Sequence, residues 1–241
     1  MIGAFAAVVV ISGITIINRL ETGKWEVPDT DDFVRIVKRA ERAPSRTIFL
    51  ERRAIELRPG IDDAPAGISS VLASTRNTPT KLPGWKGSEA SWKKVVTCVR
   101  DLFAPFDVVV TDQRPTNADF VLVAVGGRPG DIGVKDRRIG GLAPFNGEVI
   151  PRPVVYAFST ALSNDVRAIC ETIGMEVAHA YGLDHGYECK DIMTYLAGCG
   201  AKRFVDKDVR CGEKKRRDCE GGKPTQNSFR HLVEVLGARP R

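Results

Sequence analysis

Apolar positions recur at two different periods along this chain, and each change of period marks a new element. Helical spacing after Ser88, a typical N-cap residue, predicts a helix that reaches Phe103, and a second helix is predicted from about Asn164. A closing helix is predicted over Ser228–Leu236. The three apolar stripes are Trp92, Val95, Val96, Val99, Leu102 and Phe103; then Val166, Ile169, Cys170, Ile173, Val177 and Tyr181; then Phe229, Leu232, Val233 and Leu236.

Short apolar runs between turn-forming residues predict the strands. These runs cover Thr47 to Leu57, Phe106 to Val110, Phe120 to Val125, and Val154 to Phe158. Between Gly60 and Gly87 the sequence is dominated by glycine, proline, serine and threonine, which favours a long irregular loop.

Composition indicates a globular, exported protein. The chain has 241 residues, 43% hydrophobic and 27% charged, enough for one compact domain. Residues 1–25 begin with an apolar stretch, which we interpret as a signal peptide or membrane anchor and as the chain's one membrane contact. A misplaced start codon would give the same pattern. Residues 26–45 are charged and mixed, which suits a linker or pre-segment.

Six cysteines favour disulfides and an oxidising compartment. Four of them, Cys189, Cys199, Cys211 and Cys219, lie in the last quarter, where apolar runs are few. Six cysteines allow fifteen pairings, among them the local pairs Cys189 with Cys199 and Cys211 with Cys219. The absence of any C-x-x-C pair from the sequence disfavours a cysteine zinc site.

The net charge of +6 does not predict a nucleic-acid partner. The densest basic run, Lys214 to Arg217, lies between Glu213 and Asp218 without interleaved aromatic residues, so we interpret it as a solvated face. Binding of an acidic cell-surface polymer stays open.

The segment that begins at Met175 reads M-E-V-A-H-A-Y-G-L-D-H and has the spacing of a metal site. Residues four apart share a helix face, so residue 175 and His179 would converge on one ion while Glu176 points at the water bound there. Gly182 permits a sharp turn that returns His185 toward the same point.

This segment resembles the metzincin zinc-peptidase motif H-E-x-x-H-x-x-G-x-x-H, with Met175 in place of the first histidine. The later run D-I-M-T-Y resembles the metzincin Met-turn, in which Met193 would be the structural methionine beneath the metal. In some branches of that family, a tyrosine two positions beyond the methionine reaches the metal or the oxyanion. The resemblance therefore gives Tyr195 a possible catalytic role.

The resemblance implies an α+β fold with a twisted, mostly parallel sheet. Residues 46–185 would form an upper lobe with two helices, one of which carries the active site. Residues 186–241 would form a small, disulfide-stapled, loop-rich lower lobe that contains the Met-turn and ends in a helix. The run from Gly140 to Pro144 resembles the edge strand of the metzincin cleft, so Gly141, Leu142 and Ala143 would form a rim that pairs with an extended peptide or protein substrate. We expect a monomer.

In metzincins, three histidines hold zinc and leave a position for water, while a glutamate accepts the water proton and passes it to the leaving amine. Carried over to this chain, Glu176 is the general base, and His179 and His185 are zinc ligands. Met175 matches the position but not the chemistry, because a thioether gives zinc little of the donation that imidazole does.

A weakened zinc site could be completed in three ways. Met175 could bind weakly, Glu176 or Asp184 could turn in as a ligand, or a distant residue could substitute. The remaining histidine, His231, lies in the predicted closing helix and suits a structural or surface position better.

Three hypotheses about function follow. The favoured one is a secreted metzincin-like zinc endopeptidase. The second is a catalytically inactive relative that binds peptides or proteins in the same cleft. The third is a purely structural exported domain whose histidines are core residues.

Overall fold

The computed structural model of the chain describes residues 44–116 and 119–240. The predicted signal or anchor at 1–25 and nearly all of the predicted linker at 26–45 lie outside these ranges. Pro44 and Ser45 are the exceptions, and Ser45 is fully buried in the folded domain. The Ser45 carbonyl accepts a hydrogen bond from the Tyr181 hydroxyl at 2.7 Å, and the Ser45 hydroxyl donates to Asp119.

Eight strands and four α-helices form in the described residues. The strands are β1 (Thr47–Glu51), β2 (Ile55–Pro59), β3 (Ile68–Ser69), β4 (Thr80–Leu82), β5 (Val109–Thr111), β6 (Val121–Val125), β7 (Gly141–Leu142) and β8 (Val154–Ala157). The helices are α1 (Ser70–Thr75), α2 (Glu89–Phe103), α3 (Val166–Ala180) and α4 (Ser228–Leu236).

A mixed, mostly parallel sheet of five strands organises the fold, in the order β5-β1-β6-β8-β7. All neighbours run parallel except β7, which pairs antiparallel with β8 at the sheet edge. The predicted mostly parallel sheet is therefore confirmed. The fold belongs to the α/β class, which corrects the predicted α+β class, because the main sheet is mostly parallel and the connection from β1 to its parallel neighbour β5 contains helices α1 and α2.

The hydrophobic core has two layers, one on each face of this sheet. On one face, α2 and α3 pack together and bury a cluster that contains Trp92, Val99 and Ile173. On the other face, α1 covers a smaller cluster around Leu72 and Tyr156. Every residue of β6 is buried, as expected for a strand covered on both faces.

The predicted strand over Thr47 to Leu57 is wrong, since the chain bends and forms two strands. The continuous apolar run in β1 suits the centre of a sheet, whereas β2 alternates and joins a separate three-stranded sheet between β3 and β4. The predicted loop from Gly60 to Gly87 is also wrong, because it contains β3, α1 and β4. Its polar composition conceals a short helix that the Ser69 hydroxyl caps by accepting from Leu72 N.

The predicted helices are confirmed. The Ser88 hydroxyl caps α2 by accepting from Ser91 N, and α4 has the predicted bounds. The strand predicted over Phe106 to Val110 begins later, at Val109. Phe106 instead lies in an aromatic group with Phe103, Phe204 and Phe229, because its ring is large enough to fill the space between α2 and α4.

Three disulfides join Cys98 to Cys170, Cys189 to Cys199, and Cys211 to Cys219. The first ties α2 to α3, and the other two close local loops in the irregular segment that follows α3. The local pairs anticipated among the fifteen possibilities are the pairs that form. These bonds indicate an oxidising environment of the extracellular kind. Within residues 44–116 and 119–240, no helix has the length and apolar character needed to cross a membrane.

Candidate active site

Helix α3 carries the first half of the candidate site and is buried over its second half. Asp165 caps the helix by accepting a hydrogen bond from Ala168 N at 2.7 Å. Every residue from Ile173 to Tyr181 is buried. Glu176 and His179, which lie outside the predicted apolar stripe of this helix, are therefore buried with the rest of the segment. The reason is that α3 has the sheet and α2 on one side and the irregular C-terminal segment on the other.

His179 and His185 approach each other through their Nε2 atoms, which lie 2.9 Å apart. The Nδ1 atom of His179 contacts the Leu183 carbonyl at 2.7 Å, and the Nδ1 atom of His185 contacts a carboxylate oxygen of Glu213 at 2.9 Å. Both partners are acceptors, so both Nδ1 atoms carry the hydrogen. Each neutral ring then presents an Nε2 lone pair to the other, an arrangement that is favourable only with a proton or a cation between them.

The turn that brings His185 back is made by Gly182, whose φ of +96° lies in the left-handed region that favours glycine. Its N–H donates to the His179 carbonyl at 2.9 Å, and Leu183 N donates to the Ala178 carbonyl at 3.0 Å. The helix therefore ends immediately after His179, and the chain reverses as the sequence spacing predicts.

The electrostatics of the site keep His179 neutral. Burial lowers the pKa of His179 to about 4, and the electrostatic interaction with the neighbouring His185 acts in the same direction. The neutral imidazole is the form that binds metals.

Glu176 is 5% exposed, and its side chain lies against Gly141 of β7. Among the residues that the structure describes, none donates a hydrogen bond to its carboxyl. Burial raises the pKa of Glu176 to about 8. The carboxyl is thus poised for proton exchange near neutral pH, which is the property that a general acid or base requires.

Met175 lies one helical turn before His179 and is 8% exposed within the apolar cluster shared with α2. The residue at the expected position of a third ligand therefore contributes to packing. The third histidine of the chain, His231, contacts the Tyr181 carbonyl through Nε2 at 2.7 Å. This contact ties α4 to the end of α3, a structural role of the kind expected from the sequence.

Two exposed aromatic rings flank the histidine pair. The Tyr195 ring centroid lies 4.4 Å from that of His185, and the Phe145 centroid lies 5.3 Å from that of His179. Tyr195 is 54% exposed and Phe145 is 36% exposed, so both line the approach to the histidines. Partial burial, together with the charges of Glu176 and Glu213, raises the pKa of Tyr195, which keeps its hydroxyl a hydrogen-bond donor.

The predicted Met-turn is a tight, buried turn beside the His185 segment. Met193 is fully buried, and its carbonyl accepts from Gly186 N at 3.0 Å. Asp191 closes the turn by accepting from Met193 N at 3.0 Å. Burial raises the pKa of Asp191 to about 6.

Three charged residues at the site were not anticipated as a group. Arg217 pairs with Asp184 at 2.5 and 2.9 Å and with Glu213 at 2.7 Å, and Glu213 in turn accepts from His185. The basic run is therefore only partly a solvated face, since Lys214, Lys215 and Arg216 are exposed but Arg217 is committed to ion pairs. The sequence feature that could have indicated these residues is the position of Glu213 and Arg217 between two cysteines, Cys211 and Cys219, that were expected to close a local loop.

These groups also offer a second arrangement that could hold a cation. Ligand atoms of Asp184, His185 and Glu213 lie within 4.8 Å of one another. Arg217 already supplies positive charge to both carboxylates, however. Against the opposing effect of burial, its hydrogen bonds lower the pKa of Asp184, and the hydrogen bonds with His185 and then Arg217 lower the pKa of Glu213. This group is therefore better described as a support for His185.

The predicted rim lies at the free edge of the sheet. Gly141 and Leu142 form β7 and are half-buried, and Ala143 follows them. A groove of about 400 Å³ beside them is lined by residues from α1 and from the segment after β7, including Val71, Leu142 and Phe145. The rim and the histidine pair are therefore joined through Phe145, which borders both.

Neither the models of known protein families nor the curated protein sequences contain a match to this chain.

Proposed function

We propose that this protein is an exported, metzincin-like zinc endopeptidase in which His179 and His185 bind the metal and Glu176 is the general base. The observation that carries the proposal is the 2.9 Å approach of two Nε2 atoms whose Nδ1 atoms are both committed as donors. A pair of converging imidazole lone pairs, each ring held by a second hydrogen bond, is the usual arrangement of histidine metal ligands.

The residues present fit zinc in part. Two imidazoles converge, Glu176 lies on the same helix as His179, and the Tyr195 ring lies tilted beside His185, but the methionine at position 175 is a poor ligand for this metal. A zinc ion held by His179 and His185 would supply a Lewis acid that polarises the scissile carbonyl. We therefore expect weak zinc binding, with a third ligand from a mobile group or from solvent.

Glu176 would accept a proton from the attacking water and deliver it to the leaving amine. Its buried carboxyl has a pKa of about 8 without a metal, and a neighbouring cation would lower that pKa toward the range of an effective base. The Tyr195 hydroxyl, exposed at the mouth of the site, could donate a hydrogen bond to the developing oxyanion.

An extended peptide is the substrate class that the rim supports best. Within the part of the chain that the structure describes, β7 pairs with β8 alone, so its other edge is available there for an added strand. Such a peptide would run past Phe145 toward the histidines, with one side chain directed into the groove beside Leu142.

A second function, peptide binding without cleavage, is favoured by one specific observation. Met175 is packed in the apolar core, so the helix is stabilised by the residue that replaces the ligand. In this alternative the rim and the aromatic rings bind peptides, and the histidine pair no longer retains zinc.

The deciding experiment measures zinc stoichiometry by elemental mass spectrometry on the exported protein, beside Met175→His and the packing control Met175→Leu. We expect close to one zinc per chain in the native protein, tighter binding by about tenfold or more in Met175→His, and native-like binding in Met175→Leu. Zinc in Met175→His alone would reject the peptidase and favour the binding module.

Activity is tested separately with a peptide library and mass spectrometry. The native, zinc-loaded chain should produce cleavage products, and Glu176→Gln should produce none while it retains zinc. A zinc-loaded native chain that cleaves no peptide would overturn the proposed reaction. A chelator that changes neither stability nor peptide binding would instead support the purely structural hypothesis.

A further inference from the structure

The loop closed by Cys211 and Cys219 is attached directly to the segment that carries His185. Gly212 N donates to the His185 carbonyl at 2.9 Å, and Gly186 and Cys211 form an antiparallel bridge. Within the loop, Arg217 N donates to the Cys211 carbonyl at 2.7 Å. The backbone of the loop is thus fixed at its base and held against residues 185–186.

The loop places two side chains of opposite charge against His185 and its neighbour. The Glu213 carboxylate accepts from His185 Nδ1 at 2.9 Å and from Arg217 at 2.7 Å. Arg217 also binds both carboxylate oxygens of Asp184, which is 3% exposed. The Arg217 guanidinium therefore links the buried Asp184 carboxylate to the Glu213 carboxylate, which in turn contacts the His185 ring.

Asp184 is itself held from the backbone. It accepts from His185 N at 2.7 Å and from Glu220 N at 2.9 Å. Asp184 is consequently held in place, and it fixes Arg217 through a bidentate contact whose geometry lysine could not reproduce. The same guanidinium then donates one hydrogen bond to Glu213.

We infer that Glu213 and Arg217 are positioning residues for His185, which they hold in the Nδ1–H tautomer with the Nε2 lone pair directed at His179. A neutral imidazole carries one hydrogen, and a hydrogen-bond acceptor beside one ring nitrogen keeps the hydrogen on that nitrogen. The other nitrogen then has a free lone pair. A carboxylate at Nδ1 also makes Nε2 a stronger donor to a metal. The orientation of the His185 ring is inferred from these contacts alone. The effect on zinc affinity rests on the proposed function, in which His179 and His185 bind the metal.

The test that is independent of zinc uses the ¹⁵N chemical shifts of the His185 ring in the metal-free chain. Glu213→Ala should increase the Nε2–H tautomer, whereas Glu213→Gln, whose amide oxygen still accepts from Nδ1, should retain the native tautomer. Lys214→Ala, an exposed change in the same loop, serves as the matched control and should leave the shifts native. An unchanged His185 spectrum in Glu213→Ala would overturn the inference.

The second readout is metal affinity, measured by competition with a chromophoric chelator for Zn²⁺. Loss of a partner that orients a ligand typically costs 10–100-fold in affinity, so Glu213→Ala should bind Zn²⁺ about 10–100-fold more weakly. Arg217→Lys should show a smaller loss in the same direction, and Lys214→Ala none. Native affinity in Glu213→Ala would count against the inference.

The two proposals fail in different ways. If the native chain binds no Zn²⁺ but Glu213→Ala changes the His185 tautomer, the zinc peptidase is rejected and the positioning role stands. If the native chain binds Zn²⁺ and neither tautomer nor affinity responds to Glu213→Ala, the positioning role is rejected alone.

Discussion

Gly141 and Glu176 lie so close together that no side chain larger than hydrogen fits at position 141. A Cβ atom there would lie 2.6 Å from Cγ of Glu176 and 2.7 Å from its Oε1. It would also lie 2.5 Å from Cγ2 of Thr172 on the same helix. The contact between the edge strand β7 and helix α3 therefore depends on glycine, and this contact covers the candidate general base.

Gly141→Ala should consequently destabilise the fold and displace the Glu176 carboxyl. We expect a loss of about 1–3 kcal/mol in the free energy of unfolding, measured with urea, because the added methyl forces β7 or Glu176 to move. Gly130→Ala is the matched control, since a Cβ at Gly130 meets no atom within 4 Å. A Gly141→Ala protein as stable as the Gly130→Ala protein would show that β7 moves freely.

Glu176 should make the metal-free chain less stable as the pH rises. Its pKa is 4.5 in an unfolded chain and about 8 in the folded one, so the native state binds more protons between these values. The free energy of unfolding contributed by this group therefore falls as pH rises from 4.5 to about 8. Glu176→Gln cannot ionise and should abolish that fall, which urea unfolding in the presence of a chelator would measure at several pH values.

His179 contributes the opposite dependence and provides an internal comparison. Its pKa falls from 6.5 in the unfolded chain to about 4 in the fold, so stability is lost as pH decreases through that interval. Glu176→Gln should leave this acid limb in place. A Glu176→Gln protein with the native pH profile on both limbs would mean that the carboxyl is not desolvated.

The disulfide between Cys98 and Cys170 should contribute more stability than either local disulfide. It joins residues 72 positions apart, and chain-entropy reasoning assigns a loop of that size about 4 kcal/mol, against about 3 kcal/mol for the 10-residue separation of Cys189 and Cys199. Replacing both cysteines of each pair with alanine and comparing urea midpoints checks this order. An equal loss of stability in the three double variants would contradict the entropic account.

Some helices and strands were predictable from the sequence because each depends on the pattern of residues within that one element. The stripe of α2 and its Ser88 cap, the bounds of α4 and the buried run of β6 all follow from local periodicity. The division of residues 47–59 between two sheets was not predictable, because it depends on where β2 finds partners far along the chain. The short helix α1 was hidden for a related reason, since only two of its residues, Val71 and Leu72, are buried.

The candidate site also has one part that the sequence predicts and one part that it does not. The return of His185 toward His179 follows from Gly182 and the spacing around it, which are local features. The contacts of Glu213 and Arg217 with His185 and Asp184 join residues 28 and 33 positions apart across an irregular segment. No periodicity describes such a segment, so its side-chain partners emerge only in three dimensions.

The disulfide pattern has a consequence for how the protein is made. Each cysteine is bonded to the next cysteine in the sequence, first Cys98 with Cys170, then Cys189 with Cys199, and finally Cys211 with Cys219. In a chain that emerges from its N-terminal side, each pair is complete before the first cysteine of the next pair appears. Bonds that form in that order need no later exchange, because no native bond requires an earlier one to be broken.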